Sequence, residues 1–224
     1  MASWKKYALG WLWLFSGATT WAQSGACGNP FQNHFGPFDY RSAKHSDLHM
    51  VERVHFTPGI ESLSKPNTTT LTHIAGDITY TLHVFPNHHR ALAAMARLAQ
   101  QRQTDQPPSA RYSVNCYFER ALTFRPDDNV ARMLYAQYLI STKHNSLALA
   151  HVRHVQKLAP DSAMTQRNVA LLALELGELQ LARQAAERAA ELGDRDVTLV
   201  QRLQAAGAAP ATAEAIATQG SAAQ

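Results

Sequence analysis

Punctuation at a fixed interval constrains this chain more than any other feature. Pro126 and Pro160 stand 34 residues apart, and the turn at Gly193-Asp194 brings Asp194 another 34 residues on. Pro86 precedes Pro126 by 40. The surplus of six has a home in QQRQTDQPPSAR, whose double proline no helix interior tolerates. Between these marks each unit reads as two helices. In DDNVARMLYAQYLI, Asp127 or Asp128 suits an N-cap, and Met133, Ala136, Tyr138 and Ile140 recur with helical rather than strand period. STKHN breaks the pattern, and SLALAHVRHVQKLA resumes it through Leu147, Ala148, Val152, Val155 and Leu158. DSAMTQRNVALLALEL, a break at Gly177 and ELQLARQAAERAAEL repeat the plan. Units of this length that recur at a fixed period are built by stacking one supersecondary element on the next.

In this arrangement the sequence resembles the tetratricopeptide repeat (TPR) family. The middle unit carries the resemblance at Tyr135, Ala136, Leu139, Ala148 and Pro160. The next carries it at Ala170, Gly177, Ala182 and Ala189, with Asp194 where proline is usual. The preceding one carries it at Leu92, Ala96, Phe118, Ala121 and Pro126, around the six-residue insertion. The family's tryptophan near the start of the first helix is absent throughout. The resemblance covers residues 87–194. It implies an all-α fold: an α-solenoid of antiparallel helix pairs wound as a right-handed superhelix, with clear repeats at 87–126, 127–160 and 161–194. An unrelated alanine-rich helical bundle is the competing reading, but bundles need no fixed period.

The flanks are read from the residues themselves. MASWKKYALGWLWLFSGATTWAQ has Lys5 and Lys6, then an apolar run from Tyr7 to Phe15, then Thr20 and Ala22 placed for cleavage before Gln23. These are the parts of a signal peptide, residues 1–22, and the run is short of the ~20 residues a membrane span needs. The mature chain is expected to be exported, periplasmic or secreted, with no stable membrane span. Acylation at Cys27 is disfavoured, because Ser24 stands where a leucine is preferred. Residues 23–56, rich in Phe, Tyr, Pro and Gly without periodicity, are expected to form an irregular N-terminal cap over the repeat domain, 57–205. Thr57 and Pro58 open a short helix. THIAGDITYTLHVFP alternates like a strand at Ile78, Tyr80, Leu82 and Val84, but it fills the place of a second repeat helix, and helix is the expectation. VTLVQRLQAA suits a terminal capping helix, and residues 206–224 have too few large apolar residues to fold.

Charge and chemistry narrow the function. Removing the leader takes 21 basic residues to 19 against 17 acidic ones, a net of +2, which gives no electrostatic footprint for nucleic acid. Cys27 and Cys116 either pair in an oxidising compartment, closing a loop worth roughly 4 kcal/mol, or remain two thiols. No His-Glu-x-x-His, Gly-x-Ser-x-Gly, phosphate loop or Cys-x-x-Cys is present, so no catalytic residue, metal ligand set or cofactor is assigned. Histidine is in excess at 11, and His45/His49 and His151/His154 have helical spacing, with His83, His88 and His89 close in sequence. Neither pair has a third ligand at convincing spacing. Asn67-Thr68-Thr69 is a formal glycosylation acceptor.

In the resembled family the first helices of each pair line a concave groove that holds extended peptides. The corresponding positions here are Arg90, Arg97, Met133, Gln137, Arg167 and Glu175. Arginines along a groove suit an acidic or carboxylate-bearing protein or peptide. The expectation is a noncatalytic interaction or scaffolding module of an exported assembly. Two alternatives stand beside it: a metal-binding or redox accessory protein using the histidines, and an enzyme with its site in residues 27–86.

Overall fold

The computed structural model describes residues 27–66 and 73–207; within them are ten α-helices and no strand. The signal segment, the acceptor at Asn67 and most of the C-terminal tail lie outside the described residues. The helices are α1 (His45–His55), α2 (Pro58–Glu61), α3 (Ile74–Val84), α4 (His89–Arg102), α5 (Val114–Phe124), α6 (Asn129–Ser141), α7 (Asn145–Leu158), α8 (Ala163–Glu175), α9 (Leu179–Glu191) and α10 (Val197–Ala205). None is long and apolar enough to cross a membrane.

The period in the sequence reappears as one repeated turn. Two residues beyond Pro86, Pro126, Pro160 and Asp194, a side chain caps the next helix by accepting from a backbone N–H three residues on. His88 Nδ1 accepts from Ala91, Asp128 Oδ1 from Ala131, Ser162 Oγ from Thr165, and Asp196 Oδ1 from Leu199. These caps satisfy donors that every helix start leaves free. Asp128, not Asp127, is the cap of α6. The turns that end α4, α6 and α8 also match: Gln103, Lys143 and Gly177 all have positive φ. In each the following N–H returns to the helix, Thr104 to Ala99, His144 to Leu139 and Glu178 to Ala173, which closes the last turn.

Small residues sit where helices cross. Ala131, Ala136, Ala148, Ala170, Ala173, Ala182 and Ala185 have no exposed surface, so the backbones on either side approach closely. Larger groups fill the remaining space, as where the Phe118 ring of α5 stacks on Tyr135 of α6 at 4.9 Å. Each helix packs on its neighbour from α3 to α10, and α4, α6, α8 and α10 also pack on one another in turn.

The N-terminal segment differs from expectation in one respect. Residues 45–55, read as irregular, form α1, which packs on α3. Only Val51 of α1 is buried, so the helix has little apolar stripe to betray it. THIAGDITYTLHVFP takes the helical alternative as α3. Ahead of α1 the chain is irregular, held by Phe38 N–H donating to the Val84 carbonyl at 2.8 Å and by apolar contacts among Val51, Val84, Phe85, Phe38 and Tyr40. Asp39 joins it to the Pro126 turn by accepting from Arg125 at 2.7 Å and from Asn87 at 2.7 Å.

Candidate binding groove

Because α4, α6, α8 and α10 follow equivalent turns, they lie side by side and present one stripe each to a common trough. Residues three and four apart share a helix face, which selects Ala93, Ala96, Arg97 and Gln100 on α4. The same rule selects Val130, Met133, Leu134 and Gln137 on α6, and Asn168, Leu171 and Glu175 on α8. Two cavities, of about 440 and 260 Å³, run along this face and share Leu134, Gln137 and Glu175 as lining. Arg202 of α10 closes the far end.

Four of the six expected groove residues are thus brought together: Arg97, Met133, Gln137 and Glu175. Arg90 and Arg167 are placed elsewhere. Arg90 reaches back to the N-terminal segment, where it donates to both carboxylate oxygens of Glu61 and to Glu52 at 3.1 Å and lies over the Phe56 ring. Arg167 is drawn to the turn before α10, with Nη1 3.4 Å from Asp194 and 3.5 Å from Asp196. In both cases a carboxylate outside the first-helix pattern captures the guanidinium. Val130, Leu134, Asn168, Leu171 and Arg202 were not singled out from sequence. The period did hold a signal for three of them, since Leu134 and Asn168, like Gln137 and Leu171, are 34 residues apart.

The trough is apolar in the walls and polar at chosen points. Val130 is 44 % exposed, and Met164, on the same stripe of α8, is 64 % exposed. Gln100 is engaged by Ser141 at 2.7 Å, and Arg97 donates one hydrogen bond to the Glu61 carbonyl at 2.9 Å. The side-chain amides of Gln137 and Asn168 make no hydrogen bond among the described residues. Each has donors and an acceptor to offer.

Two other constellations stand apart from the trough. Cys27 and Cys116 form a disulfide, with Cα atoms 5.1 Å apart, beside Glu119. That trio is the one group of three potential metal-ligand side chains found among the described residues, and it includes no histidine. The histidines are dispersed in local roles. His88 is fully buried, caps α4, lies 3.0 Å from Glu52 and stacks on Tyr40. His89 meets both Asp128 oxygens at 2.9 Å. His55 pairs with buried Asp77 at 2.8 Å. His83 and His151 are pushed down to about 4, chiefly by burial and then by nearby arginines.

No protein-family model, curated protein or solved structure matches this chain. The functional reading therefore rests on the residues and their geometry.

Proposed function

We propose that this chain is an exported, noncatalytic binding protein that holds an extended peptide segment of a partner along α4, α6, α8 and α10, its helix pairs stacked as a TPR-like solenoid. The observation that carries the reading is the pair of adjoining cavities with unengaged amides on α6 and α8. An extended segment exposes its own backbone N–H and C=O groups. Gln137 and Asn168 can pair with those groups, while Val130, Met133, Leu134 and Leu171 take its apolar side chains. Arg97 and Arg202, at opposite ends, suit a terminal or side-chain carboxylate through paired N–H donors. The lining residues contain no histidine and no cysteine. Repeated caps at Asp128, Ser162 and Asp196 support the stacked-pair architecture, and the disulfide is compatible with export to an oxidising compartment.

The test is a peptide array on which each sequence is displayed once with a free carboxylate and once as the amide. Peptides retained by the native chain should lose roughly tenfold or more in affinity on Gln137→Ala with Asn168→Ala, the loss expected when two hydrogen bonds to a bound segment go. Free-carboxylate forms should be preferred, and that preference should shrink in Arg202→Ala. Retention that is unchanged in the double variant, with helicity intact, removes the groove from the reading.

A further inference from the structure

The disulfide lies outside the groove and has an unusual neighbour. Cys116 and Glu119 are three apart on α5, so their side chains share one face, and Cys27 comes onto that face from the N-terminal segment. Glu119 Oε2 lies 3.2 Å from Cys27 Sγ. A sulfur already bonded to sulfur has no proton to give, so a hydrogen bond at this contact runs from a protonated Glu119 carboxyl to Cys27 Sγ. No cation among the described residues holds that carboxylate in its ionised form, and although Glu119 is exposed overall, the partial desolvation of its carboxyl against the disulfide pushes its pKa up. Arg120, next along α5, is turned away: its Nη1 donates to the Cys27 carbonyl at 2.9 Å and its guanidinium lies over the Tyr112 ring. From α6 the titratable group facing Glu119 is Tyr135, itself held neutral by burial.

The two cysteines also differ in exposure: Cys27 is buried, at 7 % exposed, and Cys116 is partly exposed, which makes the Cys116 side the more open to an incoming thiolate. A thiolate attacks a disulfide along the S–S axis, so it strikes the open sulfur and expels the covered one. Here the covered sulfur is the one beside the carboxyl.

We propose that Cys27–Cys116 is a redox-active disulfide, opened by an external dithiol at Cys116 with Glu119 as the proton donor to the departing Cys27. In the first step the reductant's thiolate forms a bond to Cys116 Sγ, the Cys116–Cys27 bond breaks, and its electron pair leaves on Cys27 Sγ. That sulfur takes the Glu119 proton, leaving a carboxylate. In the second step the reductant's other thiol, as thiolate, attacks its own sulfur in the mixed disulfide, oxidising the dithiol to a disulfide and releasing Cys116 as thiolate, which takes a proton from solvent. The reverse sequence, with an external disulfide as oxidant and the Glu119 carboxylate drawing the proton from Cys27, closes the bond.

Opening is local. The segment ahead of Phe35 is held by the disulfide, by Arg120 on the Cys27 carbonyl and by the Phe31 ring against Phe124 at 5.7 Å. Beyond it, Phe38 and Asp39 have their own anchors at Val84 and Arg125. Reduction therefore removes the one covalent tether of residues 27–34, leaving Arg120 and the Phe31–Phe124 contact, while the helices stay packed.

The experiment is reduction of the full chain by dithiothreitol from about pH 4 to about pH 8, a range that spans ordinary and raised carboxyl values, with rates divided by the thiolate concentration. The normalised rate should fall as pH rises through the Glu119 titration, and Glu119→Gln should remove that fall. At the acid end the variant should be slower by roughly tenfold, less than a positioned proton donor usually contributes because a thiolate already leaves readily. Glutathione, which lacks a second thiol, should leave its adduct on Cys116 and an alkylatable Cys27. Three results would each overturn the proposal: an adduct found on Cys27, a normalised rate in the native chain that does not change with pH, or reduction whose rate tracks global unfolding as urea is added. If Glu119→Gln does not fold, the pH profile and the adduct position of the native chain decide alone.

Discussion

Asp128 shows how much one side chain can hold here. It is buried, accepts from the Ala131 N–H as the cap of α6, accepts from Asn87 Nδ2 at 2.8 Å and meets His89 Nε2. Burial alone would raise its carboxyl, but His89, the Ala131 N–H and Asn87 more than offset that and hold it below the ordinary range. Removing the carboxylate strands three donors, one of them a helix-start N–H. Asp128→Ala is expected to cost about 3 kcal/mol, in the range for breaking a buried hydrogen-bonded charge. Asp128→Asn retains the cap oxygen and should cost less than half as much. Urea unfolding midpoints of the two variants measure the difference, and equal losses would show that the cap is immaterial. Asp127, its sequence neighbour, is largely exposed and meets Arg41 at 2.9 Å, so the same substitution there should change little.

At the scale of elements, the recurring turn explains what could be read from the letters and what could not. A proline or the Gly193-Asp194 turn, a spacer and a capping side chain are local chemistry, so the starts of α6, α8 and α10 were legible, and with them the helix order from residue 87 onward. The breaks at STKHN and Gly177 were legible, but the residue that takes the left-handed conformation was legible only where it is glycine: Gln103 and Lys143 adopt positive φ without a signal in their chemistry. Lys143 has φ 63° and its N–H bonded to the Ile140 carbonyl, so glycine fits the same turn without the Cβ penalty. Lys143→Gly should stabilise the chain by about 0.5 to 1 kcal/mol, the relief of the left-handed conformation less the entropy that glycine adds to the unfolded state. A higher thermal midpoint checks it, and a lower one would mean that Lys143 makes a contribution its position does not suggest. The groove was half legible for a related reason. Gln137 and Glu175 lie on the faces their helices turn to the trough, but the fates of Arg90 and Arg167 depend on Glu52, Glu61, Asp194 and Asp196, which approach from other turns. Long-range capture of a flexible arginine leaves no trace in spacing. The pairing of Cys27 with Cys116, left open by an even count of two, needed the 5.1 Å approach of two chain segments 89 residues apart.

Across the whole molecule, titration separates into two windows. His83 and His151, pushed down to about 4, are neutral in the folded chain, and buried His88 is displaced in the same direction by burial despite Glu52. Protonation is resisted for physical reasons: His83 Nε2 has no hydrogen-bond partner and stands near Arg120 and Arg111, while His151 faces Arg132. A depressed histidine means that the unfolded chain binds the proton first. Stability is therefore intact above the ordinary histidine range and declines as pH falls from about 6.5, the unfolded value, toward 4, levelling once the folded rings also protonate. The carboxylates of Asp39, Glu52, Glu61 and Asp128 lie below their ordinary values, each with a guanidinium or imidazole partner, and their contribution is lost only lower still. Glu119, raised by the partial desolvation of its carboxyl, acts in the opposite sense and offsets part of the histidine effect. Lowering the pH from about 7 to about 5 should therefore reduce the unfolding free energy by about 1 kcal/mol for each of His83 and His151, a figure discounted for the solvent that reaches half-buried rings. Urea midpoints at the two pH values measure this, and His83→Gln with His151→Gln should flatten the dependence, leaving the share carried by His88. A midpoint that holds steady across the interval in the native chain would mean that these rings protonate in place, and that the arginines beside them are screened.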